Sequence, residues 1–261
     1  MKKIIASLSV VFIFVCFANS QEVRDGQTVK PSLNVVLENI LFSPLTKTKE
    51  GVIFYPAVKG ANKIKLWTFT VRDENGDIVK ILSGRKKLPE KIVWDGLNND
   101  GFIVADGRYS AEIYVQTDKG DFKFDDPGII VDNTPPFVSL KAADDVYFID
   151  RNGKMNKNIN LYLSCGDENE IDSSGSYIKV INYKDKEVKD FKFEEKIPEI
   201  ITWDGTDDIY DAFLRPGNYR IIFLVSDRAG NKESVKYEIS VIEYPKEKEQ
   251  VLENNKTEQS E

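Results

Sequence analysis

Hydrophobic and polar residues alternate along much of this chain with a period of two. Tyr109, Ala111, Ile113 and Val115 mostly alternate with polar neighbours, and Tyr219–Val225 repeats the pattern 110 residues later. Such alternation places one set of side chains in a core and the other in solvent, which predicts antiparallel β-strands. Asn-Gly, Asp-Gly and Pro-Gly turn signals separate the runs, and no stretch shows a helical period. Further alternating runs are Ile159–Cys165 and Val235–Val241.

One segment of the chain occurs twice. Val71–Gly96 and Val180–Gly205 align without a gap at an offset of 109 residues, and each ends in Trp-Asp-Gly. A period near 110 is typical of a duplicated small domain and too long for a solenoid repeat. Seven or so short strands in ~100 residues are typical of an immunoglobulin-like sandwich. The sequence therefore predicts an all-β fold of two tandem immunoglobulin-like antiparallel β-sandwiches after a signal peptide.

Shifts in composition divide the chain into segments. Residues 133–136 end in two prolines, which cannot donate backbone hydrogen bonds and favour a stiff, extended joint. The C-terminal residues are rich in Lys, Glu, Gln and Asn, which predicts disorder. The predicted segments are a signal peptide (1–20), a flexible lead-in (21–33), a first Ig-like domain (34–132), a Pro-rich linker (133–136), a second Ig-like domain (137–244) and a disordered charged tail (245–261).

The N-terminus has the pattern of a cleavable export signal. Two lysines precede the apolar run Ile4–Phe17, and small residues mark a cleavage position before Gln21. Cys16 leaves open a lipoprotein anchor, although the bulky Val15 fits a lipobox poorly. We therefore expect an exported protein in the periplasm or on the cell surface, with cleavage favoured over acylation. We expect no transmembrane helix in the mature chain.

The net charge and the residue types of the chain argue against some classes of function. The formal net charge is −7, and loss of the two leader lysines makes it −9, so the protein lacks the field that attracts nucleic acid. The chain has no histidine, the usual general base and a common metal ligand. Ser83 and Lys86 match Ser-x-x-Lys, but in a polar loop. Cys165 follows an inward register and is expected to be a small buried apolar residue. We expect no enzyme activity and no cofactor.

Both modules share one order of motifs: Pro-x-x-x-x-Trp-Asp-Gly, an Asn/Asp-rich turn, Gly-x-Tyr opening an alternating strand, and then a glycine-containing turn. This order resembles the Ig-like module of the flagellar hook-capping protein FlgD, which recurs in bacterial surface and secreted proteins, including a Vpr-type protease. The resemblance implies a sandwich scaffold and not a function. The residues that carry it are Phe42–Pro44, Trp94–Gly96, Asn99–Gly101, Gly107–Tyr109 and Asp118–Gly120, then Trp203–Gly205, Gly217–Tyr219 and Asp227–Asn231.

The Trp-Asp-Gly pairs are the best-marked residues. We expect each tryptophan to anchor a core, each aspartate to accept hydrogen bonds from turn amides and each glycine to take a positive φ. An exposed tryptophan that grips a sugar is the alternative. The predicted structural motif comprises Trp94, Asp95, Gly96 and Tyr109, with Trp203, Asp204, Gly205 and Tyr219 in the second module.

Oxygen-bearing side chains crowd the turn after Trp94. Asp95, Asn98 and Asp100, with Asn99 between them, precede Gly101, and calcium prefers such oxygens around a tight turn. The spacing fails the EF-hand pattern at its first and twelfth positions, which are both glycine. These residues are therefore weak calcium candidates, and a plain loop is the favoured interpretation. The second module offers Asp204, Asp207 and Asp208.

The sequence favours a non-enzymatic spacer or adaptor in the cell envelope that binds protein partners through loops or by strand addition at a sheet edge. The partners are not identified by the sequence. A glycan- or calcium-binding accessory module is one alternative. A flagellar or envelope assembly factor is another, by analogy alone.

Overall fold

The computed structural model of the protein is all-β. It describes residues 12–17, 22–24, 27–29, 31–46, 48–209 and 212–244. Within these ranges the regular elements are strands, and no helix has the length and apolar content needed to cross a bilayer. The described chain forms two compact units whose boundary falls between Thr134 and Pro135, with Arg228–Asn231 belonging to the first unit.

The first unit contains two facing sheets and a short hairpin. One sheet has the order β1-β4-β6-β9, the other has the order β5-β11-β10-β7-β8, and β2 pairs with β3. The strands are β1 (Phe12–Phe17), β2 (Glu22–Arg24), β3 (Gln27–Val29), β4 (Ser32–Glu38), β5 (Leu41–Phe42), β6 (Val52–Lys59), β7 (Ile64–Arg72), β8 (Ile78–Arg85), β9 (Ile92–Trp94), β10 (Gly107–Thr117) and β11 (Asp121–Val131).

The core of the first unit lies between its two sheets. Leu33 and Val35 of β4 share one apolar cluster with Phe69 of β7 and Ile113 of β10. The alternating residues of β10 that the pattern predicted as inward-facing are buried from Tyr109 to Val115. Their partners in β11 continue the same alternation, because opposite residues of an antiparallel pair face the same side of the sheet.

The second unit repeats this plan. Its sheets have the orders β12-β14-β17 and β13-β19-β18-β15-β16, and its core again unites residues from both. The strands are β12 (Phe137–Ala142), β13 (Val146–Ile149), β14 (Ile159–Gly166), β15 (Ile171–Asn182), β16 (Glu187–Lys192), β17 (Ile200–Trp203), β18 (Gly217–Asp227) and β19 (Lys232–Glu243).

The prediction of two tandem immunoglobulin-like sandwiches is confirmed. Among the described strands, the pairs are antiparallel except two short ones, β5 with β11 and β13 with β19, which are parallel. Tyr109 and Tyr219 also form the tyrosine corner of such sandwiches, because each hydroxyl donates a hydrogen bond at 2.8 Å to a backbone carbonyl four residues upstream.

Three of the described strands precede the predicted start of the first domain. β1 lies inside the predicted signal peptide, and β2 and β3 pair where a flexible lead-in was predicted. β4 begins at Ser32, before the predicted domain start at residue 34, because Leu33 extends the buried alternation of Val35 and Leu37. Cleavage before Gln21 stays a prediction. The rest of the predicted signal peptide, residues 1–11 and 18–20, and the predicted tail, residues 245–261, lie outside the described residues.

The predicted linker is anchored to the first unit at its beginning. Asp106 accepts a hydrogen bond from the Asn133 amide at 2.7 Å and another from the Thr134 hydroxyl at 2.6 Å. One carboxylate therefore holds the first two residues of the predicted linker against the first unit.

Candidate functional site

The Trp-Asp-Gly turn of the first unit follows β9 and is held by hydrogen bonds between its own residues. Trp94 is fully buried, and its indole N–H donates to the Leu97 carbonyl at 3.1 Å. The ring packs edge-on against Phe42, with centroids 5.9 Å apart, and contacts Tyr109 at 5.1 Å. Because a buried indole N–H needs an acceptor, the turn and the core residue depend on each other.

The other two residues of this turn also serve its backbone. Asp95 Oδ1 accepts a hydrogen bond from the Leu97 amide at 3.1 Å. Gly96 has a φ of 78°, and a Cβ there would lie 2.3 Å from Cγ of Pro44. Only glycine suits this position, because an added methyl group would be strained by the backbone and would also clash with the proline.

The second unit reproduces the turn with different neighbours. The Trp203 indole donates to the Thr206 carbonyl at 2.8 Å. Asp204 Oδ1 accepts hydrogen bonds from the Thr206 amide at 3.0 Å and from its hydroxyl at 2.7 Å. These two donors hold the pKa of Asp204 below its usual range. Gly205 has a φ of 84° and abuts Met155.

This geometry defines what the predicted motif residues do. Trp94 and Trp203 are 0 % and 3 % exposed, so neither ring offers a face to a sugar. Burial raises the pKa of the Tyr109 and Tyr219 phenols above their usual value, so both remain neutral hydrogen-bond donors.

The weak calcium candidates lie in one turn, and side-chain oxygens of Asp95 and Asn98 accept hydrogen bonds from its amides. Asn98 Oδ1 accepts hydrogen bonds from the amides of Asp100 at 3.0 Å and Phe102 at 2.9 Å. Asp95 Oδ1 is engaged by Leu97, as described above. In the second unit Asp207 Oδ1 accepts from the Ile209 amide at 3.0 Å. The turn chemistry accounts for this crowding of oxygens.

The turn after Trp-Asp-Gly also caps a neighbouring strand, a role the sequence did not reveal. The Asn99 amide donates to the Val79 carbonyl of β8 at 2.9 Å, and Asn99 Oδ1 accepts from the Ile81 amide at 3.0 Å. Both bonds engage β8 on the edge that none of the described strands occupies. Lys80 adds a bond to the Asn98 carbonyl at 3.0 Å.

The same cap recurs in the second unit, where Asp208 takes the place of Asn99. Its amide donates to the Val188 carbonyl of β16 at 2.8 Å, and its Oδ2 accepts from the Asp190 amide at 3.2 Å. Lys189 pairs with this carboxylate and lowers the pKa of Asp208. The 109-residue offset of Asn99 and Asp208 was visible in sequence, but their partners across the sheet were not.

The candidate nucleophiles are poorly placed for catalysis. Ser83 lies on the edge strand β8, not in a loop as predicted, and both it and Lys86 are exposed. Cys165 lies half-buried at the end of β14, beside a groove of about 520 Å³ lined also by Tyr162 and Ile200. Burial raises the pKa of the Cys165 thiol, which disfavours the reactive thiolate.

Several solved structures are similar to this chain at low TM-scores and low sequence identity. The fibronectin(III)-like modules of CbhA from Clostridium thermocellum match at a TM-score of 0.39 and 14 % identity, over 80 % of this chain and 94 % of theirs. A bacterial ice-binding adhesin of 1.5 MDa matches at 0.39 and 14 %, over 91 % of this chain and 66 % of its own. The adhesin domain of Epf from Streptococcus pyogenes matches at 0.31 and 12 %, over 84 % and 80 %.

No protein-family model matches the chain, and no curated protein matches it in sequence. The two pairs of sheets described above define the class: a protein of Ig-like, two-sheet sandwich modules in tandem.

Proposed function

We propose that this protein is a non-enzymatic structural or interaction protein of the bacterial cell envelope, exported by its N-terminal signal and built from two FlgD-like Ig modules, residues 34–132 and 137–244. It acts as a spacer or adaptor that binds other proteins. The alternating register and the paired Trp-Asp-Gly turns support the modules, and the apolar N-terminal run supports export.

One observation carries the proposal. The best-marked polar residues of both modules bind their own turns and sheet edges, so they stabilise a scaffold. Asp95 and Asp204 bind turn amides, and Asn99 and Asp208 cap edge strands. A scaffold with such residues contributes surfaces, and protein partners bind sandwiches at loops and at sheet edges.

Proximity labelling in the native cells tests this function. The full chain is fused at its C-terminus to a labelling enzyme, and the control is the same enzyme exported on the leader alone. We expect the fusion to enrich a reproducible set of envelope proteins over that control. Equal labelling by both, or retention of the fusion in the cytoplasm, would overturn the assignment.

A further inference from the structure

The sheet edges of the first unit are treated unequally. The edge of β8 is capped by Asn99, which lies in the turn after β9. The edge of β4 instead receives a complete strand, β1. Their backbones pair antiparallel over six residues without a register shift, from Phe12 opposite Leu37 to Phe17 opposite Ser32. The structure therefore contains one sheet edge that accepts an added strand.

The strand that fills this edge lies in the segment with the pattern of a cleavable leader. Its sequence, FIFVCF, is apolar and uncharged throughout. Cleavage before Gln21 separates it from the chain. β4 then presents the unpaired N–H and C=O groups of an edge strand, which form a template for another strand.

β4 has less of the usual protection of an edge strand than β8 has. Between Ser32 and Glu38 it has no lysine, no proline and no bulge, whereas β8 carries Lys80 and Arg85 in addition to its cap. Of its outward positions, Asn34 and Val36 are uncharged and Glu38 at the end of the strand is charged, and all three are half-buried with β1 in place. An incoming strand that suits Asn34 and Val36 is apolar or neutral where it lies beside them.

We propose that the outer edge of β4 is the partner-binding site of the mature protein. Its occupant is an extended, uncharged apolar segment of a partner protein, about six residues long, which pairs antiparallel along Ser32–Glu38 in the place of β1. This inference rests on the proposed function, because it assumes an exported protein that binds other proteins. It adds the site, the orientation and the chemistry of the bound segment.

The test uses the full chain with a specific protease site inserted after Ser20, so that the protein folds intact and is then cut. The probe is a fluorescent peptide of residues 12–17 with Cys16→Ser and flanking lysines for solubility. We expect saturable binding of one peptide per cut chain and none to the uncut chain. If the cut strand stays bound, its mass in the native complex identifies it.

The variant V36K places a charge on the accepting edge, and I81K places the same charge on the capped edge of β8 as a matched control. We expect V36K to weaken peptide binding at least tenfold, or to release a retained strand, and I81K to change neither. If V36K melts well below I81K, its weaker binding would not be informative. Amide exchange across Ser32–Glu38 of the unsubstituted chain then tests the proposal. It should rise on release of the cut strand and fall on peptide addition.

The edge proposal would be overturned if the peptide did not bind after release of the cut strand. It would also be overturned if V36K and I81K bound the peptide equally well. Unchanged amide exchange after release would also do so. Proximity labelling can still succeed in each of these cases, through contacts at loops, so the two proposals fail separately.

Discussion

Asn99 accepts a hydrogen bond from the backbone amide of Ile81 at 3.0 Å, although 18 residues separate them. The corresponding pair in the second unit is Asp208 and Asp190. In each unit a turn side chain thus takes the place of a neighbouring strand on an otherwise open edge. Proteins commonly protect such edges against pairing with other chains.

Replacing this side chain should expose the edge. For Asn99→Ala we expect a loss of about 1 kcal/mol in the free energy of unfolding, since one net hydrogen bond is removed and water replaces it only in part. We also expect more self-association. Urea denaturation and light scattering measure the two effects. The neighbouring exposed Asp100→Ala is the control and should change stability by less than about 0.5 kcal/mol. Equal effects of both substitutions would argue against the cap.

Substitutions at two glycines of one turn distinguish the cost of backbone strain from the cost of a steric clash. Gly96 and Gly101 have φ values of 78° and 85°, but a Cβ would meet Pro44 only at Gly96 and open space at Gly101. Gly101→Ala should cost about 1 kcal/mol from the left-handed backbone alone. Gly96→Ala should cost about 2 kcal/mol more, because the proline must move. Denaturant titration of both variants measures the two losses in the free energy of unfolding. Equal losses would contradict the packing of Pro44 on this turn.

Stability should fall in acid partly through Asp204. Its pKa is lowered in the folded protein by the Thr206 amide and hydroxyl, so the ionised form is favoured by folding. That contribution is complete above the unfolded pKa, near 3.8, and is lost as pH falls through the lower folded pKa. Thr206→Val removes the hydroxyl donor and should move the pKa of Asp204 upward.

Carboxyl NMR titration of the two proteins measures this shift directly. Melting temperatures from pH 5 downward should decline less in the Thr206→Val protein, because the folded pKa of Asp204 then lies closer to its unfolded pKa. Asp204→Asn should remove this part of the acid dependence. A carboxyl that titrates identically in both proteins would show that the hydroxyl does not bind it.

Cys165 should react slowly with thiol reagents. Burial raises its pKa, so little thiolate exists at neutral pH and access is restricted. We expect the rate with a disulfide reagent to be well below that of glutathione at pH 8 and to approach it in denaturant. A native rate equal to that of glutathione would indicate an exposed, activated thiol.

The sequence predicted the strands where burial alone sets the pattern. Tyr109 to Val115 alternate because one face of β10 meets the core, and the buried positions follow directly. Trp94 was recognised because its neighbours recur at one offset. The burial of a residue or its role in a turn could therefore be predicted where it depends on the residue's own strand or turn.

Long-range pairing was not readable in the same way. The cap by Asn99 depends on β8 lying beside the turn, and no local pattern carries that register. The pairing of β1 with β4 was missed because an apolar run serves equally as a leader or as a strand. The half-burial of Cys165 likewise depends on where the chain of Lys196–Ile200 passes.

Site-specific photo-crosslinking in native cells tests the central claim most directly, namely that the protein is a scaffold which binds partners at the β4 edge and not at the capped edge. A photoreactive phenylalanine analogue replaces Val36 in one strain and Ile81 in another. We expect covalent adducts with an envelope protein from position 36 and none from position 81. Adducts from position 81 alone, or from neither position, would contradict this claim.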